Sequence, residues 1–123
     1  MKFCVFGAGR MGAQHIANVA ADDRAVLGYV CDVDLERARS LGDSYGAKAI
    51  SDPHEALNDK AVDAVIIASA TNTHVDLIVE AAKAGKAILC EKPIDLDLGR
   101  VDFCAEQIKE CDVPIMIGFP TAV

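Results

Sequence analysis

Six short apolar runs divide the chain, and between them lie stretches in which apolar residues recur at helical spacing. The runs cover residues 3–6, 25–31, 48–50, 64–68, 87–90 and 114–117. The helical stretches cover residues 11–21, 35–45, 73–84 and 96–110, and Ser51-Asp52-Pro53 reads as one further helix start, a capping residue before Pro. Gly46 and Gly85 stand where two of the helices should stop. Ala64-Val65-Ile66-Ile67-Ala68 has no polar alternation, which is the pattern of a strand covered on both faces. Strands alternating with helices form βαβ units, joined by right-handed crossovers into a parallel sheet. The rhythm therefore predicts one α/β domain, a doubly wound parallel sheet of six strands in the order 3-2-1-4-5-6.

The bulk properties narrow the partners. A hydrophobic content of 52% and a charged content of 25% suit a soluble globular domain, and 123 residues can bury a real core. No run approaches the roughly 18 apolar residues needed to cross a bilayer, so no membrane partner is expected. Met1-Lys2 leads straight into an apolar run and then into glycines, where a signal peptide would need its cleavage site; a cytoplasmic location is expected. The net charge of −7 argues against nucleic acid, which needs a basic face. It leaves room for a dinucleotide, because backbone N–H groups at a helix start can hold a pyrophosphate.

Cys4, Cys31, Cys90, Cys104 and Cys111 are odd in number and contain no Cys-x-x-Cys pair, which fits neither a disulfide framework nor a zinc site. No metal is expected. Cys4, Cys31 and Cys90 sit in apolar runs and read as small hydrophobes. Cys104, on the expected helix over residues 96–110, and Cys111, at its very end, are seven apart and so would share a face about two turns apart.

Chemistry concentrates after the first strand. Gly7-Ala8-Gly9-Arg10-Met11-Gly12 has the G-x-G-x-x-G spacing, a weak signal alone. Here it follows a strand, opens a helix and lies inside a βαβ unit, which is the setting of a dinucleotide loop. Gly7 would permit the tight turn, Gly9 the approach of a pyrophosphate, and Gly12 the close packing of the helix. Asp32 then falls 20 residues after Gly12 at the end of the second strand, where a carboxylate accepts the hydroxyls of an adenosine ribose. Val33 follows it, and no Arg or Lys lies between Cys31 and Glu36 to neutralise a 2′-phosphate. NAD is therefore favoured over NADP. Asp34, before Leu35-Glu36-Arg37, reads as a helix cap.

Ligands of such sheets lie beyond the strands' carboxyl ends, near the point where the strand order reverses. Ser69, Ala70, Thr71, Asn72, Thr73 and His74 follow the fourth strand and should line that point. Thr71 or Thr73 could equally cap the next helix, and His74 reads either as facing a nicotinamide or as a first-turn histidine. His15 and His54 read as structural or solvated. Glu91-Lys92-Pro93 ends the fifth strand, where a lysine can support proton transfer as hydride leaves. A surface turn is the other reading of Lys92.

Together these residues resemble one family, the glucose–fructose oxidoreductase, inositol dehydrogenase and rhizopine-catabolism (Gfo/Idh/MocA) oxidoreductases. The resemblance rests on Phe6-Gly7-Ala8-Gly9-Arg10-Met11-Gly12 with His15, on Cys31-Asp32-Val33-Asp34, on Ala68 to His74, and on Glu91-Lys92-Pro93-Ile94. Lys92-Pro93-Ile94-Asp95-Leu96-Asp97 is most similar to the bacterial inositol 2-dehydrogenase branch. The resemblance implies a Rossmann NAD(P)-binding fold and hydride transfer from a ring hydroxyl of a cyclitol or sugar to NAD. It implies that Lys92 is the first-domain member of the catalytic set. It further implies that an Asp and a His come from a second α/β domain, which would also build most of the substrate pocket and the oligomer interface.

On this reading residues 1–119 are the dinucleotide-binding domain, and residues 120–123 are a short tail where the second domain would begin. The chain alone should bind NAD, turn over little, and self-associate as a homo-oligomer through apolar surface left uncovered. Two rivals stand beside it. One is a non-catalytic NAD-binding or sensing module acting through a partner. The other, an S-adenosylmethionine methyltransferase, usually has G-x-G-x-G spacing and an antiparallel last strand, neither of which is visible.

Overall fold

The computed structural model describes residues 1–92 and 94–118; Pro93 of the expected motif and residues 119–123, with the expected tail, lie outside the described residues. The strands are β1 (Lys2–Phe6), β2 (Val26–Cys31), β3 (Lys48–Ile50), β4 (Ala64–Ile67), β5 (Ala87–Cys90) and β6 (Ile115–Ile117). The helices are α1 (Arg10–Ala21), α2 (Leu35–Tyr45), α3 (Pro53–Leu57), α4 (His74–Lys83) and α5 (Leu98–Ile108). The strands form one sheet in the order β3-β2-β1-β4-β5-β6 with every pairing parallel, as the alternation predicts.

The unbroken apolar run of β4 is explained by its place in the middle of the sheet, with all four residues buried. Strand periodicity sends Val65 and Ile67 to one face, against Val75 and Ile78 of α4. Ile66 goes to the other, into a core shared with Val5, Val30, and Ile16 and Val19 of α1. The strand order reverses between β1 and β4, so their carboxyl ends diverge and leave a crevice at the head of the sheet.

Short acids fix the helix starts. Asp34 accepts a hydrogen bond from the Arg37 N–H and caps α2, as expected, and Asp52 does the same for α3 through the His54 N–H. α5 begins at Leu98, two residues later than its periodicity suggests. The cause is a pair of successive side-chain turns: Asp95 accepts from the Asp97 N–H at 2.9 Å and Asp97 from the Gly99 N–H at 2.8 Å. Because α5 ends at Ile108, Cys111 lies beyond it, and the shared helical face expected for Cys104 and Cys111 does not exist.

All five cysteines are free thiols, and only Cys111 is not buried. Burial pushes the Cys31 and Cys90 thiols up to about 12, which keeps them neutral and unreactive. Among the described residues no cluster of His, Cys, Asp or Glu could hold a metal ion, and no helix is long and apolar enough to cross a membrane. Apolar side chains do reach the surface at one end, where Leu96, Leu98, Phe103 and Met116 are exposed around α5 and the edge strand β6.

Candidate functional site

The crevice between the ends of β1 and β4 has a volume of about 500 Å³. Its floor is the turn after Phe6. Gly7 has φ +101°, a conformation that side chains resist, and a Cβ there would stand 2.6 Å from the Ala68 carbonyl oxygen. Its N–H donates to the Cys31 carbonyl at 2.7 Å, tying the turn to β2.

The other two glycines answer different needs. A Cβ on Gly12 would stand 1.8 Å from the Gly7 carbonyl oxygen, so α1 packs directly onto the start of the loop. A Cβ on Gly9 would meet nothing within 4 Å, and Gly9 lines the crevice. The space beside Gly9 is thus free for a ligand. Gly9 also caps α1 without any side-chain acceptor, and the first turn contains no acid. The N–H groups at that start, flanked by the exposed Arg10 and Met11, and the positive end of the helix dipole suit a pyrophosphate.

Asp32 is buried at the crevice wall. Its Oδ2 accepts from the Ala8 N–H at 2.8 Å, and its Oδ1 accepts from the Asp34 N–H at 2.8 Å and from Arg37 Nη2 at 3.3 Å. A carboxylate offers about four acceptor positions, and three are already used here. The geometry leaves one for a ribose hydroxyl, with a second available where Arg37 swings away. Burial pushes the Asp32 carboxyl up, but the Asp34 and Ala8 N–H groups and then Arg37 outweigh it and hold it below the usual carboxylate range. The group is therefore an anion at neutral pH.

Arg37 is a lining residue that the sequence reading missed, because it lies one position beyond the Cys31–Glu36 stretch that holds no basic residue. The available signal was helical: Arg37 stands three residues after the cap Asp34, within the first turn of α2. Its side chain is half exposed and pairs with Asp32 at 3.3 Å, so the site carries a cation as well as an anion at the ribose end. Ser51 just after β3, Pro53 of α3, and Asp76, Leu77 and Glu80 of α4 extend the crevice on that side and were also missed.

The segment after β4 is a loop closed by its own hydrogen bonds. Thr71–Thr73 forms a 3-10 turn ahead of α4. The Thr73 hydroxyl donates to the Ala70 carbonyl at 2.6 Å, so the 2.7 Å contact with Ser69 Oγ has Ser69 as donor. Thr73 precedes α4 but makes no side-chain cap to it. His74 is the first residue of α4, buried, and its Nε2–H donates to the Ser69 carbonyl at 3.0 Å. His74 thus stands in the first turn of α4, beside the loop that follows β4. Val33, Ser69, Ala70, Asn72 and Thr73 line the crevice with Gly7, Gly9 and Asp32; Thr71 and His74 do not, and His74 reaches it through the Ser69 carbonyl.

Glu91 and Lys92 form a second group beyond β5. The Glu91 N–H donates to the Ile67 carbonyl at 3.0 Å, which extends the ladder by one residue. Its carboxylate lies 2.7 Å from Nε2 of His15, a residue read from sequence as structural or solvated and found buried on α1. Lys92 is exposed, with its stem against Gly118 after β6. Neither Glu91 nor Lys92 lines the crevice of the first group. At the opposite end of the sheet, buried Lys86 donates to the Asp59 and Val62 carbonyls and so closes a loop.

This geometry has close relatives. The oxidoreductase family described by its NAD-binding Rossmann fold matches residues 1–119. The myo-inositol 2-dehydrogenase of Thermotoga maritima is 42% identical over 120 residues, 97% of this chain and 36% of that protein. The inositol 2-dehydrogenase of Rhizobium meliloti is 41% identical over the same share of each. Among solved structures, a myo-inositol dehydrogenase from Corynebacterium glutamicum superposes with a TM-score of 0.91 at 41% identity, over 96% of this chain and 35% of that one. The scyllo-inositol dehydrogenase of Lactobacillus casei, solved with bound NAD(H) and scyllo-inositol, gives a TM-score of 0.89 at 26% identity over 96% of this chain and 36% of its own. The chain therefore spans just over a third of the length of the relatives it matches. Its strand order, its glycine loop and these likenesses agree, and the chain belongs to the Gfo/Idh/MocA oxidoreductase family through that family's NAD-binding Rossmann domain.

Proposed function

We propose that this chain is the cofactor-holding part of an inositol 2-dehydrogenase-like oxidoreductase acting on a ring hydroxyl of a cyclitol or sugar. The observation that carries the reading is the pairing of an open Gly9 with an ionised, buried Asp32 across one crevice. The likeness to inositol dehydrogenases over 97% of the chain supports the choice of substrate class. Bound NAD supplies the hydride acceptor. The chain's own residues bind and orient it: the α1 start takes the pyrophosphate, Asp32 takes a ribose hydroxyl and selects NAD over NADP, and Ser69, Ala70 and Asn72 line the path toward β5. Lys92, exposed beyond β5, is the residue to which we assign proton transfer from the substrate hydroxyl.

Asp and His partners for Lys92 belong to the second domain in the family resemblance, so these residues alone should bind NAD without turning over substrate. The test is an assay of the chain with NAD and myo-inositol, following NADH. The expected result is binding by calorimetry and no NADH above background. Turnover near that of a full-length relative would overturn the assignment of chemistry to a second domain. In a longer protein that carries the second domain, tight NAD binding with no response to any cyclitol or sugar would favour the non-catalytic sensing role.

A further inference from the structure

We infer that His15 and Glu91 form a brace that sets the far half of the cofactor site, fixing the strand that presents Lys92 to the helix that receives the phosphates. The inference rests on the NAD reading above. α1 packs against β1 and β2, while Glu91 follows β5, and β4 lies between β1 and β5. The His15–Glu91 contact therefore spans a strand.

Strand alternation explains how it can. Leu89 packs on the α1 side of the sheet, and Glu91, two residues on and still in the ladder, sends its carboxylate to the same side. The contact is 2.7 Å, with both side chains largely withdrawn from water at 9% and 18% exposure. A carboxylate can only accept, so His15 Nε2 donates. The other end of the Lys92 segment is held separately. Arg100 reaches Asp95 at 3.8 Å and Asp76 of α4 at 3.3 Å, and the Gly118 N–H donates to the Cys90 carbonyl at 2.7 Å.

On the NAD reading a dinucleotide would touch both braced parts at once, with its pyrophosphate at the α1 start and its nicotinamide toward the ends of β4 and β5. A ligand that ends at the second ribose touches only the first. Loss of preorganisation is therefore felt mainly by the longer ligand, because only it must order both parts on binding. An ordinary fold-stabilising pair would make no such distinction.

The test compares NAD with ADP-ribose, which keeps the pyrophosphate and both riboses and lacks the nicotinamide, by calorimetry on the whole chain. Glu91→Ala should weaken NAD about tenfold and ADP-ribose by less than about twofold. Glu91→Gln keeps an acceptor for His15 Nε2 and should restore most of the NAD affinity. If Glu91→Ala does not fold, His15→Leu carries the same expectation. Equal losses for the two ligands, no loss for either, or failure of both variants to fold would make the pair merely structural and overturn the brace. Failure of the unaltered chain to bind either ligand would instead overturn the NAD reading.

Discussion

Gly9→Val should still fold, with stability lowered by no more than about 1 kcal/mol, and lose NAD affinity by about a hundredfold or more. The backbone there sits at φ −78° and ψ −161°, extended values open to any residue, and a Cβ meets nothing within 4 Å. Folding should suffer only by the cost of a poorer N-cap, about 1 kcal/mol, since valine is less favoured there than glycine. Binding suffers more, because the isopropyl group would fill the space through which a pyrophosphate reaches the N–H groups at the α1 start. Each charge-assisted hydrogen bond lost there is worth about 1.5–3 kcal/mol, so losing one or two accounts for the expected change. Calorimetry with NAD and a thermal melt read the two halves separately. Retained NAD affinity in a folded variant would mean that the phosphates do not pass Gly9.

Gly12→Ala should do the reverse and strike the fold itself. The new Cβ would stand 1.8 Å from the Gly7 carbonyl oxygen, and both groups belong to backbone that cannot simply rotate away. Either α1 lifts from the sheet or the loop deforms. Overpacking of this kind costs about 3 kcal/mol, which lowers Tm by roughly 10 °C in a domain of this size. Ile16 and Val19 of α1 would lose contact with Val5 and Ile66 as the helix moves, adding to the loss. Thermal unfolding followed by circular dichroism measures it. A variant as stable as the parent would show that the close approach of α1 is not what this glycine serves. One G-x-G-x-x-G motif thus contains a glycine kept for the ligand and another kept for the fold.

The fold was readable because two periodicities, one of strands and one of helices, alternate along the chain, and a doubly wound sheet is the arrangement that buries them. Asp32 was readable because the distance from a glycine loop to the end of the next strand is set by one βα unit. What escaped depends on contacts between distant positions. His15 and Glu91 are separated by 76 positions, and no local pattern joins them until the sheet brings α1 and β5 together. Asp76 and Glu80 line the crevice only because α4 turns that edge toward β2 and β3, a rotation that periodicity does not specify. The two open readings of His74 had the same origin: the sequence showed a first helical turn but not which way it faced. The start of α5 was missed for a local reason, since Asp95 and Asp97 hold the backbone in turns that compete with a helix.

Arg37 bears most directly on the cofactor. It lies 3.3 Å from Asp32, so the ribose end of the site holds both the carboxylate that repels a 2′-phosphate and a cation that could bind one. The proposed preference for NAD then rests on Asp32 alone, and it should weaken once that carboxylate is removed and Arg37 is left unpaired. The decisive measurement is a calorimetric titration of the chain with NAD and with NADP, repeated on Asp32→Ser. NAD should bind at one site, with NADP weaker by about tenfold or more, and Asp32→Ser should narrow or invert that gap. No binding of NAD, or NADP binding as tightly as NAD to the unaltered chain, would contradict the account.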